Sequence, residues 1–409
     1  VIFDTDKKAY DGVYITSGRG ALELKNGKAE AIGASKDSSV AGTTSGANSY
    51  TLSQNKSSEM GIYFGSGGGV LDLGGNSLKL NTIAANDSGA IITNSTTSAK
   101  STLEIEGFGY DSNGTKQSTK ADTIIHASIG ESSANQVANI DIIHKGDKNT
   151  QNTHPQTSSA VEGAFLIFDG HINSSGTLNA ENANIALQGH ATTHATISDT
   201  KIREQIKNAE AGTHKAMPEY MDLSKPSTVS QPDWDNRSFT FSNGIELKNA
   251  NLTLGRNASL QSDISADSTS SITFGGGVKH FIDNKDGANI NANGFGYYQK
   301  VESGNLNLEQ QTIANQTIHY KGKITANGGN IQSSIWDFNA SLDLKNNAKL
   351  EAEYLTLKST DSVRLQSGAS AIVQNLKLQN LNENDLNKIF DNNVTNNAKL
   401  KVAQKFIFD

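Results

Sequence analysis

The stretch at residues 245–264, IELKNANLTLGRNASLQSDI, decides the fold, and residues 341–359, SLDLKNNAKLEAEYLTLKS, repeat its pattern. In each stretch apolar and polar residues alternate, an Asn-rich corner interrupts the alternation, and the alternation then resumes. A period of two residues predicts strands that bury one face. Asn suits the corner between two strands because it tolerates left-handed backbone. Such a unit cannot bury its apolar face alone, so repeated copies are expected to stack.

The composition favours an ordered chain over a disordered one. Of the 409 residues, 35% are hydrophobic and 19% are charged, and there are 38 Gly but only 4 Pro. Disordered chains usually carry more Pro and charge and fewer regularly spaced Ile, Leu and Val. The regular spacing of apolar residues therefore indicates a folded, elongated or multidomain protein.

Charge and cysteine content exclude several classes of function. The net charge is −7 and no run of Lys or Arg occurs, so nucleic-acid binding is not expected. No apolar stretch is long enough for a transmembrane helix. Cysteine is absent, which suits a chain that crosses an oxidising compartment unfolded, because a disulfide would close a loop too bulky to thread.

Further alternating runs occur at residues 20–33, 69–83, 137–146, 163–172 and 362–381. They are short and end at Gly, Asn, Asp or Ser, and recurrence at about 20 residues is typical of one turn of a parallel β-helix. Stacked turns would bury inward-facing Leu, Ile and Val in one column, in a rod about 75–85 Å long with about 15–18 turns. The fold class predicted is an all-β solenoid. An antiparallel sandwich or propeller is the alternative, but tight Asn-Gly hairpin signals are sparse.

Residues 199–234 interrupt the rhythm. They hold three of the four prolines and the chain's best helix-forming run. We therefore expect a β-helix over 1–198, an inserted loop or helical excursion over 199–234, and a second β-helical part over 235–409. Shorter excursions are expected near 110–120, 148–160 and 382–397.

No motif carries the full set of residues that a catalytic or metal site requires. Ser88 lies in Asp-Ser-Gly, but a usable serine also needs a histidine base and an oxyanion hole. The Gly-rich stretch 65–77 resembles a calcium nonapeptide in a single copy, whereas such repeats bind metal only in tandem. His190 and His194 are four residues apart without a third ligand, and their Thr-rich surroundings indicate a loop with solvated imidazoles. The sequence thus predicts no catalytic residue, no metal and no cofactor.

Carboxylates offer a weaker alternative function. Cleavage of a polysaccharide needs two or three acids on one face of neighbouring turns. Asp72, Glu104, Glu106 and Asp141 are the candidates for such an alignment, which the sequence alone does not establish. A carbohydrate-binding or carbohydrate-cleaving β-helix protein is therefore the alternative function.

Three segments carry a family resemblance. Residues 62–107, beginning IYFGSGGGVLDLGGNSLKL, resemble the stretch that follows the protease domain in IgA1-protease-type serine protease autotransporters. Residues 187–195, LQGHATTHA, are similar to that family's SGRPTPHA element, although the prolines are absent. Residues 231–264, which contain QPDWDNRSFTF, are similar to its Pro-Asp-Trp-(Glu/Asp)-Asn-Arg segment. Together these matches cover about a third of the chain.

The resemblance implies a right-handed, single-stranded parallel β-helix that serves as the passenger stalk of a type V secretion system. In that family a trypsin-like protease domain lies N-terminal to the stalk and a C-terminal translocator β-barrel carries the passenger across the outer membrane. The family's GDSGS nucleophile motif does not occur in these 409 residues. The resemblance thus implies a stalk that is not itself an enzyme, at the surface of a Gram-negative bacterium or secreted. Its expected partners are its own protease domain and barrel, host-cell or matrix components, and a second copy of itself.

The insertion supplies candidate contacts with a partner. The regular faces are polar ladders, whereas Met217, Tyr220, Met221 and Leu223 are apolar and lie within seven positions of one another. Apolar anchors of this kind dominate the energetics of interfaces. The alternative is that these four residues pack the insertion onto the rod.

Overall fold

The computed structural model describes the strands and most corners of the chain but leaves several connecting segments undescribed. The described residues are 1–8, 13–15, 20–41, 48–52, 61–64, 68–85, 89–110, 116–120, 123–130, 137–148, 163–192, 233–255, 257–275, 281–283, 289–291, 318–333, 338, 340–359, 363–382, 384–385, 388 and 397–408. Within these ranges no helix is long and apolar enough to span a membrane.

Three long parallel sheets make up most of the described structure, and successive strands along the chain pass from one sheet to the next. The first sheet contains, in spatial order, Ile2–Phe3, Ala21–Leu24, Gly69–Asp72, Ala90–Thr93, Ser128–Ile129, Ile172–Ser174, Arg237–Phe241, Ala258–Gln261 and His319–Lys321.

The second sheet extends two strands beyond the first at its C-terminal end. Its strands are Ser35–Lys36, Ser49–Thr51, Ser77–Leu80, Ser101–Ile105, Ile140–Lys145, Leu178–Glu181, Ile245–Lys248, Ile264–Ala266, Lys323–Asn327, Ser341–Lys345 and Val363–Leu365. All pairings in it are parallel except that of Ser35–Lys36 with Ser49–Thr51.

The third sheet begins later in the chain and ends in long strands. Its members are Thr123–Ile125, Phe165–Phe168, Asn184–Leu187, Asn251–Leu254, Ser271–Phe274, Asn330–Ser333, Lys349–Leu357, Ser370–Leu378 and Lys399–Phe408. A three-stranded parallel sheet of Val13–Ile15, Gly61–Phe64 and Thr82–Ala84 precedes it near the N-terminal end of the rod.

Antiparallel hairpins and one short helical turn depart from this scheme. The hairpins pair Phe108–Tyr110 with Lys116–Lys120, His190–Thr192 with Asp233–Asp235, and Phe281–Asp283 with Asn289–Asn291. A single 3₁₀ turn, Ala29–Ile32, ends at Gly33, which adopts the left-handed conformation with φ of 80°. The first hairpin confirms the excursion expected near 110–120.

The core is a set of continuous ladders of inward-facing side chains. In the second sheet one ladder is in register through ten strands, and none of its members is more than 2% exposed. Its members are Tyr50, Leu78, Leu103, Ile142, Leu178, Ile245, Ile264, Ile324, Leu342 and Val363. Burial of each Leu or Ile stabilises the fold by about 1.5–3 kcal/mol. The ladder confirms the parallel β-helix, and the described sheets are not those of an antiparallel sandwich or propeller.

Asn residues hold the corners, as the sequence predicted. Asn182 and Asn249 both have a φ of 49°, and the Asn249 side-chain amide donates to Asn182 Oδ1 at 3.0 Å. Asn257 has a φ of 56° and donates in the same way to Asn236 Oδ1 at 3.1 Å. A left-handed residue costs less for Asn than for a branched side chain, and each amide also bonds to the turn before it.

Candidate functional site

The partner-binding residues predicted from the sequence, Met217, Tyr220, Met221 and Leu223, lie outside the described residues. The structure describes the residues on either side of the predicted insertion. There His190–Thr192 pairs antiparallel with Asp233–Asp235, with His190 opposite Asp235 and Thr192 opposite Asp233. This hairpin, which we call the insertion root, brackets residues 193–232.

A cluster of polar side chains lies next to the insertion root, at the corner that follows three neighbouring strands of the third sheet. Ile125, Phe168 and Leu187 occupy equivalent positions in three consecutive turns of that sheet. His126 and Asp169 directly follow the first two of these residues. His190 comes three residues after Leu187, at the start of the insertion root. Parallel stacking therefore brings three residues from separate turns to one corner.

The two imidazoles of the cluster share one carboxylate. His126 Nδ1 lies 2.7 Å from Asp169 Oδ1, and His190 Nδ1 lies 3.0 Å from Asp169 Oδ2. The two rings meet edge to face, with their centroids 5.3 Å apart. The Asp169 side chain is 6% exposed, compared with 30% for His126 and 16% for His190. His190 is thus not the solvated loop imidazole that the sequence suggested, because register places it against a buried acid. His194 lies outside the described residues.

Burial and hydrogen bonding act in opposite directions on Asp169. Burial opposes its charged form, but the charge and the hydrogen bond of His126, together with those of His190, outweigh that effect. They hold the pKa of Asp169 below its usual value. The carboxylate is therefore an anion that two ring N–H groups satisfy.

The backbone around Asp169 is tightly constrained. The Arg237 guanidinium is buried, and its Nε donates to the Asp169 carbonyl oxygen at 2.7 Å. A Cβ added at Gly170 would lie 2.2 Å from the Ala127 carbonyl oxygen, so only glycine fits there. Arg237 belongs to the segment that the sequence singled out in 231–264, and the structure gives it this anchoring role.

A second buried histidine went unrecognised in the sequence. His144 occupies an inward position in the second sheet, where the next strands have Ala180 and Leu247. Its side chain is almost fully buried, and its Nδ1 lies 2.7 Å from the Ile105 carbonyl oxygen. Burial lowers its pKa to about 4, with a smaller contribution from the positive charge of Lys120, although the bond to Ile105 opposes the shift. His144 is therefore a neutral residue of the core.

Two of the candidate carboxylates, Glu104 and Asp141, are not register partners. In the sheet register Glu104 is opposite Ile143, whereas Asp141 is opposite Thr102, so the two acids lie diagonally on neighbouring strands. Glu104 accepts from the Ala41 backbone N–H at 2.8 Å and lies 3.5 Å from Lys79 Nζ.

The other candidate acids also have structural partners. Asp141 accepts from the Thr177 backbone N–H at 2.9 Å and pairs with Lys100. Asp72 accepts from the backbone N–H groups of Gly74 and Ser95. Ser88 and the centre of the Gly-rich stretch, 65–67, lie outside the described residues.

A surface groove of about 480 Å³ lies on the outer side of the third sheet near its C-terminal end. Glu351 and Glu353 face it from one strand, and Gln332 and Gln374 face it from the two strands alongside. The groove also borders the side chain of Ile372, which is 39% exposed. Its lining thus combines amides and carboxylates with the apolar residues Phe274, Ala352 and Ile372.

Comparisons with known proteins agree with this architecture. Residues 153–334 match the family model described as the PIC/HAP1/IgA0 second beta-solenoid repeat region. Serine protease EspC of Escherichia coli O127:H6 is 27% identical over 403 residues, which cover 89% of this chain and 26% of that protein. The serine protease pet autotransporter of Escherichia coli O44:H18 is 30% identical over 320 residues, covering 75% of this chain and 21% of that protein. The chain thus spans about a quarter of the length of these relatives.

The structure of the Haemophilus influenzae Hap adhesin shares the fold. It aligns with a TM-score of 0.53 at 18% identity and covers 99% of this chain and 44% of that one. The homology gives the chain an extracellular location, at the surface of a Gram-negative bacterium or released from it. The chain is homologous to the β-solenoid passenger region of the serine protease autotransporters.

Proposed function

We propose that the chain is the stalk that presents an upstream trypsin-like serine protease domain outside the cell, and that it is not itself catalytic. The observation that carries this proposal is the ladder of ten inward residues from Tyr50 to Val363. At about 4.8 Å between strands, nine such steps make a support about 43 Å long in this ladder alone. A column of this kind is stiff along its axis because each turn bonds to the next.

The described carboxylates support a structural role for the chain's own residues. Glu104 and Asp141 each accept a backbone N–H and pair with a lysine, so their lone pairs hold the turns together. The relatives EspC and Pet are named serine proteases, and they are about four and about five times as long as the parts matched here. The proposal therefore places the protease activity of the parent protein outside this chain.

Deletion of one whole turn tests the stalk proposal in the full-length parent protein. Removal of 245–263 takes out one strand from each sheet and joins Gly244 to Ile264, which occupies the same position as Ile245. Exported protease activity is expected to survive this change. Removal of 245–254 takes strands from only two sheets, so each following strand would meet the wrong sheet. The amount of exported protein should therefore fall severalfold.

Two outcomes would count against the stalk. If the whole-turn deletion abolishes the activity of protein that is exported normally, the solenoid takes part in catalysis. If both deletions are tolerated equally, the stacked turns are not what supports the protease domain.

We further propose that residues 199–234 bind a host-cell or matrix component, with Met217, Tyr220, Met221 and Leu223 as its apolar anchors. The insertion root supports this, because an antiparallel hairpin carries the chain away from the rod and back without breaking the ladder of the second sheet. The Hap structure is that of a protein named an adhesin. Self-association through the same segment is the related possibility.

Deletion of 201–230 with a short Gly-Ser link tests this role. Attachment to host cells or matrix should fall while the strand signal and the melting temperature are kept. The matched control removes 111–115, which lie in sequence between the paired strands Phe108–Tyr110 and Lys116–Lys120, and should leave attachment unchanged. A collapse of stability, or unchanged attachment, would show that the insertion only packs against the rod.

The groove beside Glu351 and Glu353 supports the alternative function, carbohydrate binding or cleavage. The groove combines two carboxylates and two amides with apolar side chains, and paired carboxylic acids are the groups that hydrolyse glycans. A panel of polysaccharides, tested against the wild type and the Glu351→Gln/Glu353→Gln variant, separates the two functions. Glycan cleavage or binding that is lost in the variant would favour the alternative.

A further inference from the structure

We propose that the corner cluster of His126, Asp169 and His190 is a binding site for a divalent transition metal ion, with Zn²⁺ as the ion that its donor set suits best. Two imidazoles and one carboxylate form a ligand set found in zinc sites that keep an open fourth position. Within the described part of the chain this is the one group of three His, Asp or Glu whose ligand atoms converge in this way.

The fold brings the three ligands together from distant parts of the sequence. Each comes from a different turn: His126 and Asp169 directly follow strands of the third sheet, and His190 opens the insertion root. One ligand atom from each residue lies within 4.8 Å of the others. Stacked turns are a rigid support, and sites held by regular elements keep their geometry better than sites held by loops.

The distances between the ligand atoms are close to those of a site with a bound ion. Each Nδ1 now lies 2.7 or 3.0 Å from a carboxylate oxygen, as expected for a hydrogen bond. Zn²⁺ binds nitrogen and oxygen at about 2.0–2.2 Å, which places tetrahedral ligands about 3.4 Å apart. Binding would displace each Nδ1 proton, to Nε2 of the same ring or to solvent, and needs side-chain movements of about 1 Å.

Charge and access also fit the ion. Asp169 supplies one negative charge. The Arg237 side chain fixes the backbone of Asp169 by donating to its main-chain carbonyl oxygen. Outer contacts of this kind fix the orientation of metal ligands in known sites. The partial exposure of His126 and His190 leaves a path for the ion and room for a water molecule as fourth ligand.

Binding there would join the insertion root to the two preceding turns. His190 opens the hairpin that brackets residues 193–232, whereas His126 and Asp169 belong to the rod below it. A bound ion would therefore stabilise the native state against unfolding and hold the base of the insertion in one orientation.

Calorimetric titration of the purified, EDTA-treated protein with ZnCl₂ tests the proposal. The wild type is expected to bind, and His126→Ala, His190→Ala and Asp169→Asn should each weaken binding by more than about tenfold. His171→Ala and His319→Ala are matched controls, because both histidines are in the described rod but outside the cluster, and they should bind as the wild type does. Circular dichroism of each variant checks that the fold is kept.

A second readout separates a formed site from loose association. Co²⁺ bound by two imidazoles and a carboxylate should give a visible absorption band of a four-coordinate ion, absent in the His126→Ala/His190→Ala variant. Zn²⁺ should raise the melting temperature of the wild type by several degrees and that of the double variant by none. Absence of wild-type binding at millimolar Zn²⁺, or binding and stabilisation that persist in the folded double variant, would overturn the proposal and leave the cluster a hydrogen-bonded corner.

Discussion

The turns around Ile245 differ from those around Leu103 in length but not in register. Ile245 and Ile264 are ladder partners only 19 residues apart, and the strand pairs on either side of them are joined by short Asn corners. Leu103, Ile142 and Leu178 are also successive partners, yet 39 and 36 residues separate them. Both regions bury their ladder residues equally.

This difference shows which part of a turn is constrained. The inward pair must stay in register, because a slip of one residue would turn the apolar face outward. The segments that connect the strands can vary in length. The hairpin of Phe108–Tyr110 with Lys116–Lys120, for example, occupies part of the span between Leu103 and Ile142. Extra length adds little closure entropy, so excursions are tolerated wherever the ladder continues beyond them.

The largest effect is expected from the ladder itself. Ile264→Ala removes a buried side chain from a short turn and should lower the free energy of unfolding by about 2–5 kcal/mol. Leu103→Ala, in a long turn, should cost a similar amount, because both side chains are fully buried. Ser265→Ala is the control, since Ser265 faces outward beside Ile264, and should change stability by less than about 0.5 kcal/mol. Urea unfolding measures all three variants. A loss of stability in Ile264→Ala but not in Leu103→Ala would show that the ladder is not equally important in short and long turns.

A somewhat smaller effect is expected where the backbone is crowded. Gly74 has a φ of 54°, and a Cβ there would lie 1.7 Å from the Leu24 carbonyl oxygen in the neighbouring turn. Gly74→Ala should therefore lower the free energy of unfolding by about 2–3 kcal/mol. Gly27→Ala is the matched change, because Gly27 also has a positive φ but meets only the end of the Asn48 side chain at 3.1 Å. Equal costs in urea unfolding would show that the clash with Leu24 is unimportant.

The pH dependence of stability distinguishes the two regions in another way. His144 lies in the long turns at a position that Leu247 fills in a short one. Burial lowers its folded pKa to about 4, against about 6.5 in the unfolded chain. Its contribution to stability is therefore full above pH 6.5 and is lost as the pH falls from there towards 4, by about 2 kcal/mol at pH 5.

Substitution shows whether that loss belongs to His144. Urea unfolding of His144→Gln between pH 7 and pH 5 should show a shallower decline than the wild type. His171, which is partly exposed, is changed to Gln as the control and should keep the wild-type slope. An unchanged slope in His144→Gln would mean that other groups cause the acid sensitivity.

The smallest effect is expected at the Asn corners. Asn249 has a left-handed backbone and donates to Asn182, so Asn249→Ala should cost about 1–2 kcal/mol. Asn249→Gly loses the hydrogen bond but not the conformation and should cost less. If the two variants melt at the same temperature, the left-handed conformation does not explain the choice of Asn at this corner.

Local sequence patterns were enough to predict the rod but not the cluster. Alternation around Ile245 and Leu342 identifies inward residues directly, and Asn249 and Asn346 mark the corners, because both signals are local. The cluster forms only because three strands distant in sequence end in register, which brings together His126, Asp169 and His190. No local sequence pattern indicates that register. His190 therefore looked like a loop residue.

The buried histidine was missed for a related reason. His144 interrupts an apolar alternation, and only its bond to the Ile105 carbonyl and its place in the ladder show that it faces inward. The anchors proposed in 199–234 remain a prediction, as do the domain boundaries placed there.

The central claim, that distant segments stack in parallel and in register, is tested most directly by disulfide cross-linking, for which the absence of native cysteine is an advantage. Ser265 and Thr325 are register partners although 60 residues separate them, and Asp343 is the next partner beyond Thr325. Partners about 4.8 Å apart are within disulfide range, whereas residues two strands apart, at about 9.6 Å, are not. The account predicts rapid, near-complete oxidation of the Ser265→Cys/Thr325→Cys variant and almost none of Ser265→Cys/Asp343→Cys. Equal oxidation of the two variants, or none in the first, would contradict it.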